Sequence, residues 1–529
     1  MASIYSSHSS DQASEANAVS YFSCSTSSSS SSSLSSVNNS YTGRNGYIWS
    51  VTPPHSSAYR SSNILRFPSG LSHAVRDCND HLDFFDFFLD SIFRDHTLHC
   101  TNERIPSSEQ PITTEKFSGF MGILIYIGLR QSNHIDLSEI WSPASMFFME
   151  EIALTMPRNR FYLILRNLSF YPRSSAGTKF DKIQFCFERF REKVTAAFEP
   201  GANLCVDEIL YSFRGNCSWR QYMPSKPAKY GQKYWCVVDV SSSYLCNFGV
   251  YLGRDATRTA PVGESVVMKL CDPFLNAGRN ITTDNFFTSI PLAERLFEQN
   301  TTLVGTIKSN KPHLPTMTQK SRTRPINATQ FIFHDWVTVA SYVPKRNRVV
   351  NVVSTQHHSA TIEANGKPAI IGCYNETKGG VDTVAHLIAN NTCRRKTRRW
   401  TTNTFFFILD TAVHNSYVLH AIKHEIMPNE ERRRSKLADL AKKLCVPAIR
   451  FRCSQWQSNN ASGIPSNIVE AATKRGFFTR PQLHQSEISI GRCFLCPKSR
   501  TARNACIQCN KYVCRAHSVN RKVLCESCL

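Results

Sequence analysis

The last 37 residues hold the densest run of potential metal ligands in the chain: Cys493-x-x-Cys496, Cys506-x-x-Cys509, Cys514-x-x-His517 and Cys525-x-x-Cys528. Zn²⁺ takes four Cys or His ligands tetrahedrally, and a two-residue spacer lets one turn bring both side chains to the same ion. Eight ligands in four pairs therefore predict two structural Zn²⁺ ions. So short a segment has little apolar core, and metal binding would supply most of its folding free energy. Two pairings are open: pairs one and three on one ion with two and four on the other, or sequential pairing. A RING would usually carry a Cys-x-His near the middle and a PHD finger has its His at the fifth ligand, whereas the only His of this series is the sixth, His517.

A second set of residues is acidic. Asp207 lies in Cys205-Val206-Asp207-Glu208, Asp284 in Ile281-Thr282-Thr283-Asp284-Asn285, and Asp382 in Gly379-Gly380-Val381-Asp382-Thr383. Each falls in or beside an expected strand or helix end. Two-metal phosphoryl transfer needs carboxylates on adjacent rigid elements, holding Mg²⁺ (or Mn²⁺) ions about 4 Å apart, one activating the attacking oxygen and the other stabilising the leaving one. Asp239, in Val237-Val238-Asp239, competes for such a role but reads as a structural residue of the sheet.

Cationic segments complete the chemistry. Lys226, Lys229 and Lys233 alternate with Tyr222, Tyr230 and Tyr234, a mixture suited to gripping phosphates and stacking on unpaired bases. Arg394, Arg395, Lys396, Arg398 and Arg399 form a run ending at Trp400, and guanidinium groups make bidentate bonds to phosphate. Arg432, Arg433, Arg434, Lys436, Lys442 and Lys443 surround the apolar stripe Leu437, Leu440, Ala441 and Leu444, which reads as a packed helix whose basic outer face doubles as a nuclear import signal. Across 529 residues, 62 Lys+Arg against 40 Asp+Glu give a net charge of +22, which favours a polyanion partner and makes nucleic acid the leading one. The Ser-rich first 35 residues lack a charged segment followed by an apolar one. No secretory signal is therefore expected, and the 20 cysteines are read in a reducing compartment, as ligands where they cluster. The longest apolar run, Phe117 to Leu129, is interrupted by glycines and too short for a membrane span of about 20 residues, so no membrane partner is expected.

The elements that must position these groups change texture along the chain. Residues 1–75, rich in Ser and Asn, read as a disordered tail. Leu82, Phe85, Leu89 and Ile92 recur at helical spacing, and further helices are expected at Phe117–Leu129 and Arg160–Phe170, giving a helical domain over 76–202. Strands are expected at Asn203–Ser212, Tyr234–Val240 and Tyr244–Leu252, with Ser241 to Ser243 as a hairpin turn. A helix at Glu264–Leu270, a strand ending at Ile281–Asp284, a helix at Pro291–Gln299 and a strand at Leu303–Ile307 follow. Three strands and then alternating α and β elements over 203–310 predict an α/β, RNase H-like catalytic domain. A β-rich insertion is expected over 311–369, with strands at Trp336–Ala340 and Val349–Val353. The catalytic domain then resumes over 370–392, with a helix after Gly379-Gly380. A second helical part covers 393–475, with helices at Thr401–His424 and Glu431–Leu444. A stretch without periodicity from about 453 to 490, including a linker at 476–490, leads to the Cys-rich zinc domain, 491–529.

Several ordered stretches together resemble piggyBac-family transposases: Val206-Asp207-Glu208, Ser212-Phe213-Arg214-Gly215, Tyr222-Met223-Pro224-Ser225-Lys226-Pro227, Lys229-Tyr230-Gly231-Gln232-Lys233 and Tyr251-Leu252-Gly253-Arg254. The resemblance continues through Thr283-Asp284-Asn285-Phe286-Phe287-Thr288-Ser289, Tyr374 to Asp382, Thr392 to Trp400 and the terminal Cys/His array, covering roughly residues 80 to 529. It implies a cut-and-paste DNA transposase with an RNase H-like domain, a divided helical dimerisation and DNA-binding domain, and a zinc domain that binds terminal inverted repeats. By the same resemblance Asp207, Asp284 and Asp382 match the catalytic triad, and nicking, hairpin and TTAA target-site chemistry would follow. A homodimer on double-stranded DNA, acting in the nucleus, is the implied assembly. Family members often carry another Asp three positions after the third catalytic one. Here that position is Ala385. The alternative is a domesticated, non-cleaving DNA-binding protein that keeps the fold and the zinc module.

Overall fold

The computed structural model describes residues 40–54, 64–174, 180–253, 261–320, 322–427, 430–458, 461, 463–479, 490–497, 500–506, 511–519 and 524–525. The chain opens with a hairpin, β1 (Ser40–Thr42) and β2 (Ile48–Ser50), and a short strand β3 (Gly70–Leu71). Seven helices follow: α1 (His81–Phe88), α2 (Ser91–Asn102), α3 (Thr114–Leu129), α4 (Leu137–Trp141), α5 (Glu150–Thr155), α6 (Arg158–Asn167) and α7 (Asp181–Ala196). The helical pattern expected to run through Leu89 and Ile92 is broken there. The Asp90 carboxylate accepts a bond from the Phe93 N–H and starts α2, leaving Ile92 exposed, while Phe84, Phe85 and Phe88 fill the core. Disorder up to residue 75 does not hold either. Trp49 is fully buried and its indole donates to the His313 carbonyl, while Ser50 of β2 pairs with Phe333, so one buried indole and a backbone pair anchor residues 40–54 on the sheet edge. Residues 1–39 lie outside the described set.

After β4 (Phe198–Glu199), which pairs with β3, the strands are β5 (Asn203–Ser212), β6 (Gln221–Met223), β7 (Lys229–Asp239) and β8 (Leu245–Val250). Then come α8 (Val262–Cys271), β9 (Asn280–Thr283), α9 (Ile290–Glu298) and β10 (Thr302–Ile307). The hydrogen-bonded order β8–β7–β5–β9–β10 has its first three members antiparallel and β5, β9 and β10 parallel. That is the RNase H-like arrangement expected from the strand–helix alternation. The insertion supplies β11 (Thr329–His334), β12 (Val337–Lys345) and β13 (Arg348–Ser354). β13 pairs antiparallel with β10, so the sheet continues through the insertion to β2 and β1.

The last α/β elements are α10 (Ala369–Thr377) and α11 (Gly380–Asn390), followed by α12 (Trp400–Lys423), α13 (Glu430–Ser458) and α14 (Ser466–Lys474). Strand register places Asp207, Cys236 and Phe248 side by side. Phe248 packs against Phe187 and Phe190 of α7 and Phe407 of α12, while on the opposite face Leu270 of α8 approaches Gly249. Helices thus cover both faces of this part of the sheet. α12 is buried along almost its whole length, with the Phe407 ring stacked 3.8 Å from Tyr234. α3 and α13 approach closely because Gly119 and Gly122 face Ala448 and Cys445 at distances that leave no space for a side chain. The aperiodic reading of 453–490 is corrected twice: α13 runs through Pro447 to Ser458, and α14 buries Ile468, Val469 and Ala472. The Cys-rich end forms three two-stranded pairs, β14–β15 (Gly491–Arg492, Thr501–Ala502), β16–β17 (Asn504–Ala505, Tyr512–Val513) and β18–β19 (Ser518–Val519, Leu524–Cys525). Among the described residues no helix is long and apolar enough to cross a membrane.

Candidate functional site: a carboxylate cluster and a thiol cluster

β5 outruns its parallel neighbour. Its pairing with β9 ends at Val206↔Thr283, so Asp207 stands one residue past the last pair on β5 and Asp284 one residue past it on β9. Asp382 comes to the same side because α11 lies on β5, with Gly380 against the Cys205 side chain at a distance that a Cβ would reduce to 2.9 Å. The Asp207 carboxylate accepts from the Glu208 N–H at 2.8 Å, and that of Asp284 from the Phe286 N–H at 2.9 Å. Burial first, then the charges of Glu208 and Asp284, push the Asp207 carboxyl up to about 7. Burial also raises the Asp284 carboxyl, whereas Asp382 is exposed.

Two lysines from the 226–233 segment enter this cluster. The Lys226 ammonium lies 3.4 Å from Asp382 Oδ1 and 3.7 Å from Glu208 Oε1, and donates to the Glu208 carbonyl freed beyond the end of β9. Burial works against its charge, but Asp207, Asp382 and Glu208 together hold it above the ordinary lysine range. Lys233 lies 3.5 Å from Glu208 Oε2 and 3.8 Å from the centre of the Trp235 ring, and there burial wins and lowers its ammonium. Glu208 is thus a fourth carboxylate, to which the sequence reading assigned no role. The available signal was strand alternation, which sends Glu208 to the face of Lys233 and Trp235, opposite to Asp207.

The donor set is of the type a hard divalent cation takes: carboxylates on neighbouring elements, with Lys226 as a nearby positive charge. The oxygens are not drawn to one point, however. Among the described residues only Cys493, Cys496, Cys514 and His517 bring three or more ligand atoms within 4.8 Å of one another. There His517 Nδ1 is 3.6, 3.4 and 3.4 Å from the sulfurs of Cys493, Cys496 and Cys514. Zn–S bonds of about 2.3 Å make tetrahedral edges of roughly 3.8 Å, so the residues fit one Zn²⁺. The grouping joins pairs one and three, deciding for the interleaved pattern at this site. Of the other four ligands, Cys506 is buried, the Cys525 side chain is not described, and Cys509 and Cys528 lie outside the described residues.

The remaining site residues divide. Asp239 is fully buried and accepts from the Gly201 N–H and from Ser241 and Ser242, the structural role expected of it. Lys229 is exposed, and Tyr230 lies beside Tyr222 with the Arg214 and Arg220 guanidiniums 5.9 and 5.7 Å from its ring. In the 394–399 run, Arg395 donates to the carbonyls of Ser132 and Ile135, and Arg399 to those of Arg166 and Leu168, both bracing the helical region. Arg394 donates to the Ser212 carbonyl, while Lys396 and Arg398 are exposed.

Residues 80–417 match a family described as transposase IS4. Human piggyBac transposable element-derived protein 3 is 22% identical over 333 residues, covering 58% of this chain and 55% of its own length. The human chimeric ERCC6-PGBD3 protein is also 22% identical over 333 residues, covering 58% of this chain and 31% of its own. The match therefore spans about half, or less, of these curated relatives. A cryo-EM structure of a piggyBac transposase synaptic complex with hairpin DNA superposes with a TM-score of 0.76 at 28% identity, covering 88% of this chain and 100% of that one.

Proposed function

From the premise that this chain belongs to the transposase IS4 family, as a relative of the piggyBac transposases, we propose that it is a cut-and-paste DNA transposase that cleaves and joins strands at TTAA sites. The observation that supports this reading is that Asp207 and Asp284 each follow the last β5–β9 pair, while Asp382 of α11 lies 3.4 Å from Lys226 on the same side of the sheet. Two divalent cations, Mg²⁺ or Mn²⁺, when bound there would supply activation of an attacking oxygen and stabilisation of a leaving one. Asp207 and Asp284 would be the ligands set by strand register, and exposed Asp382 would complete the set from the helix. Lys226 balances the carboxylates' charge and can move to a phosphate oxygen as the cluster fills. Lys233, held by Glu208 and the Trp235 ring, keeps the floor of the site cationic.

Terminal inverted repeats are the DNA substrate in this reading, the Cys/His end contributes to their recognition with two bound Zn²⁺ ions, a homodimer is the acting assembly and the nucleus its location. The solved relative is a synaptic complex with hairpin DNA, which supports a double-stranded DNA partner here. A second reading, a domesticated DNA-binding protein that no longer cleaves, has one observation in its favour: Ala385 lies one turn after Asp382 where a further carboxylate would extend the cluster. The test is excision of a reporter interrupted by the DNA flanking this gene's locus. Excision by wild type but not by Asp284→Asn upholds the transposase. Nuclear protein that binds the flanks without excision upholds the second reading.

A further inference from the structure

A separate concentration of positive charge lies where the first and second helical parts meet. Arg104, Arg166, Lys182, Arg398 and Arg399 line a recess of about 450 Å³ that contains no acidic side chain and shares no residue with the carboxylate cluster. Among the described residues none of the five forms an ion pair. Three of them, Arg104, Lys182 and Arg399, are held in place by neutral groups instead. The Tyr171 ring has the Arg104 guanidinium 4.6 Å and the Lys182 ammonium 5.5 Å from its centre. Arg104 Nε donates to Ser169 Oγ at 2.9 Å, and Arg399 donates to the carbonyls of Arg166 and Leu168. A ring, a hydroxyl and two carbonyls orient the cations without cancelling their charge. Partly buried cations are ordinarily paired with carboxylates, and like charges this close repel. Burial, with the neighbouring Arg104 charge, accordingly lowers Arg399.

We propose that this recess is a clamp for one backbone phosphate of double-stranded DNA, with Tyr171 as the residue that positions its cations. The proposal rests on the DNA-binding part of the function proposed above and adds to it a contact outside the cleavage site. Planar guanidinium forks match phosphate oxygens bidentately, which explains a predominance of Arg at the site. Arg166 and Arg398 lie at the exposed rim, with exposed Lys396 on the same connection, so the charge continues along the surface as a polyanion requires.

The test is fluorescence anisotropy of the full chain on a duplex from the gene's flanks, across a salt series. The triple variant Arg166→Gln/Lys182→Gln/Arg398→Gln removes charges whose side chains make no hydrogen bond among the described residues. It is expected to bind about tenfold more weakly at physiological salt. Its slope of log affinity against log salt should fall by about 0.9 for each phosphate that the variant no longer neutralises. Its melting temperature should stay unchanged, and Arg450→Gln, an exposed charge elsewhere, should leave both readouts as in wild type. Tyr171→Leu should weaken binding with every cation present, and Tyr171→Phe should restore it. A triple variant with wild-type affinity and slope overturns the clamp while leaving DNA binding intact. A wild-type chain whose duplex affinity ignores salt overturns the DNA reading and the clamp together.

Discussion

The carboxylate cluster and the Cys₃His cluster gather ligands by opposite means. Asp207, Asp284 and Asp382 are far apart in sequence and reach the same side of the sheet only because β5 and β9 pair in one register and Gly380 lets α11 lie against the strand. Cys493, Cys496, Cys514 and His517 are local, held by strand pairs two residues long. The first site is placed by strand pairing and helix packing within a large apolar core. The second has almost no core, and a metal ion held by its ligands would supply its order.

That contrast can be broken experimentally. Asp207→Asn or Asp284→Asn should lower strand cleavage by about a thousandfold or more while the melting curve stays as in wild type, since several kcal/mol of charge stabilisation is lost at the transferring phosphate. Cleavage that persists would remove the site assignment. A zinc-selective chelator, or Cys514→Ser, should abolish hydrogen-exchange protection around Cys493–His517 and leave α3 and α13 protected. Loss of protection in both regions would show that the two ligand sets share one folding unit.

Acid should act on the larger core. His81 and His414 are buried and neutral, their pKa lowered to about 3 chiefly by burial. His81 bonds to Ser416 and the Lys436 carbonyl, and His414 to the Ser243 carbonyl and Arg433. Between pH 6.5 and about 3 the unfolded chain binds more protons than the folded one, so stability falls as pH falls through that window. The loss should be on the order of 1–2 kcal/mol per histidine by pH 5. A denaturation midpoint that is constant from pH 7 to pH 5 would contradict the buried neutral state. The smallest expected effect is that of Gly380→Ala, about 1 kcal/mol from forcing α11 off Cys205. Cleavage should fall more than stability does, because Asp382 shifts with the helix. Unchanged cleavage would mean that Asp382 is not positioned by this contact.

The RNase H-like part was legible wherever one local pattern fixed one element. β5 occupies Asn203–Ser212 as expected, and α11 begins at Gly380. What escaped depended on tertiary partners. The β1–β2 hairpin is ordered by burial of Trp49 against the insertion, beneath a Ser-rich composition that signals the reverse. α14 is short, and its period shows only when its apolar face has a surface to meet. The cationic run after Cys393 read as one DNA contact, but carbonyls from distant turns divide it, giving Arg395 and Arg399 structural partners that no spacing rule could reveal. Glu208 was in view beside Asp207, and only the lysines facing it give it a role.

The antiparallel pairing of β13 with β10 gives the insertion a mechanical character. Four consecutive register pairs, Val304↔Ser354 to Ile307↔Asn351, weld it to the strand next to the one that leads into Asp284. It is therefore a cantilever and not a flap. A load applied at its outer edge, where β1 and β2 sit, travels through shared backbone hydrogen bonds into the sheet that carries the carboxylates.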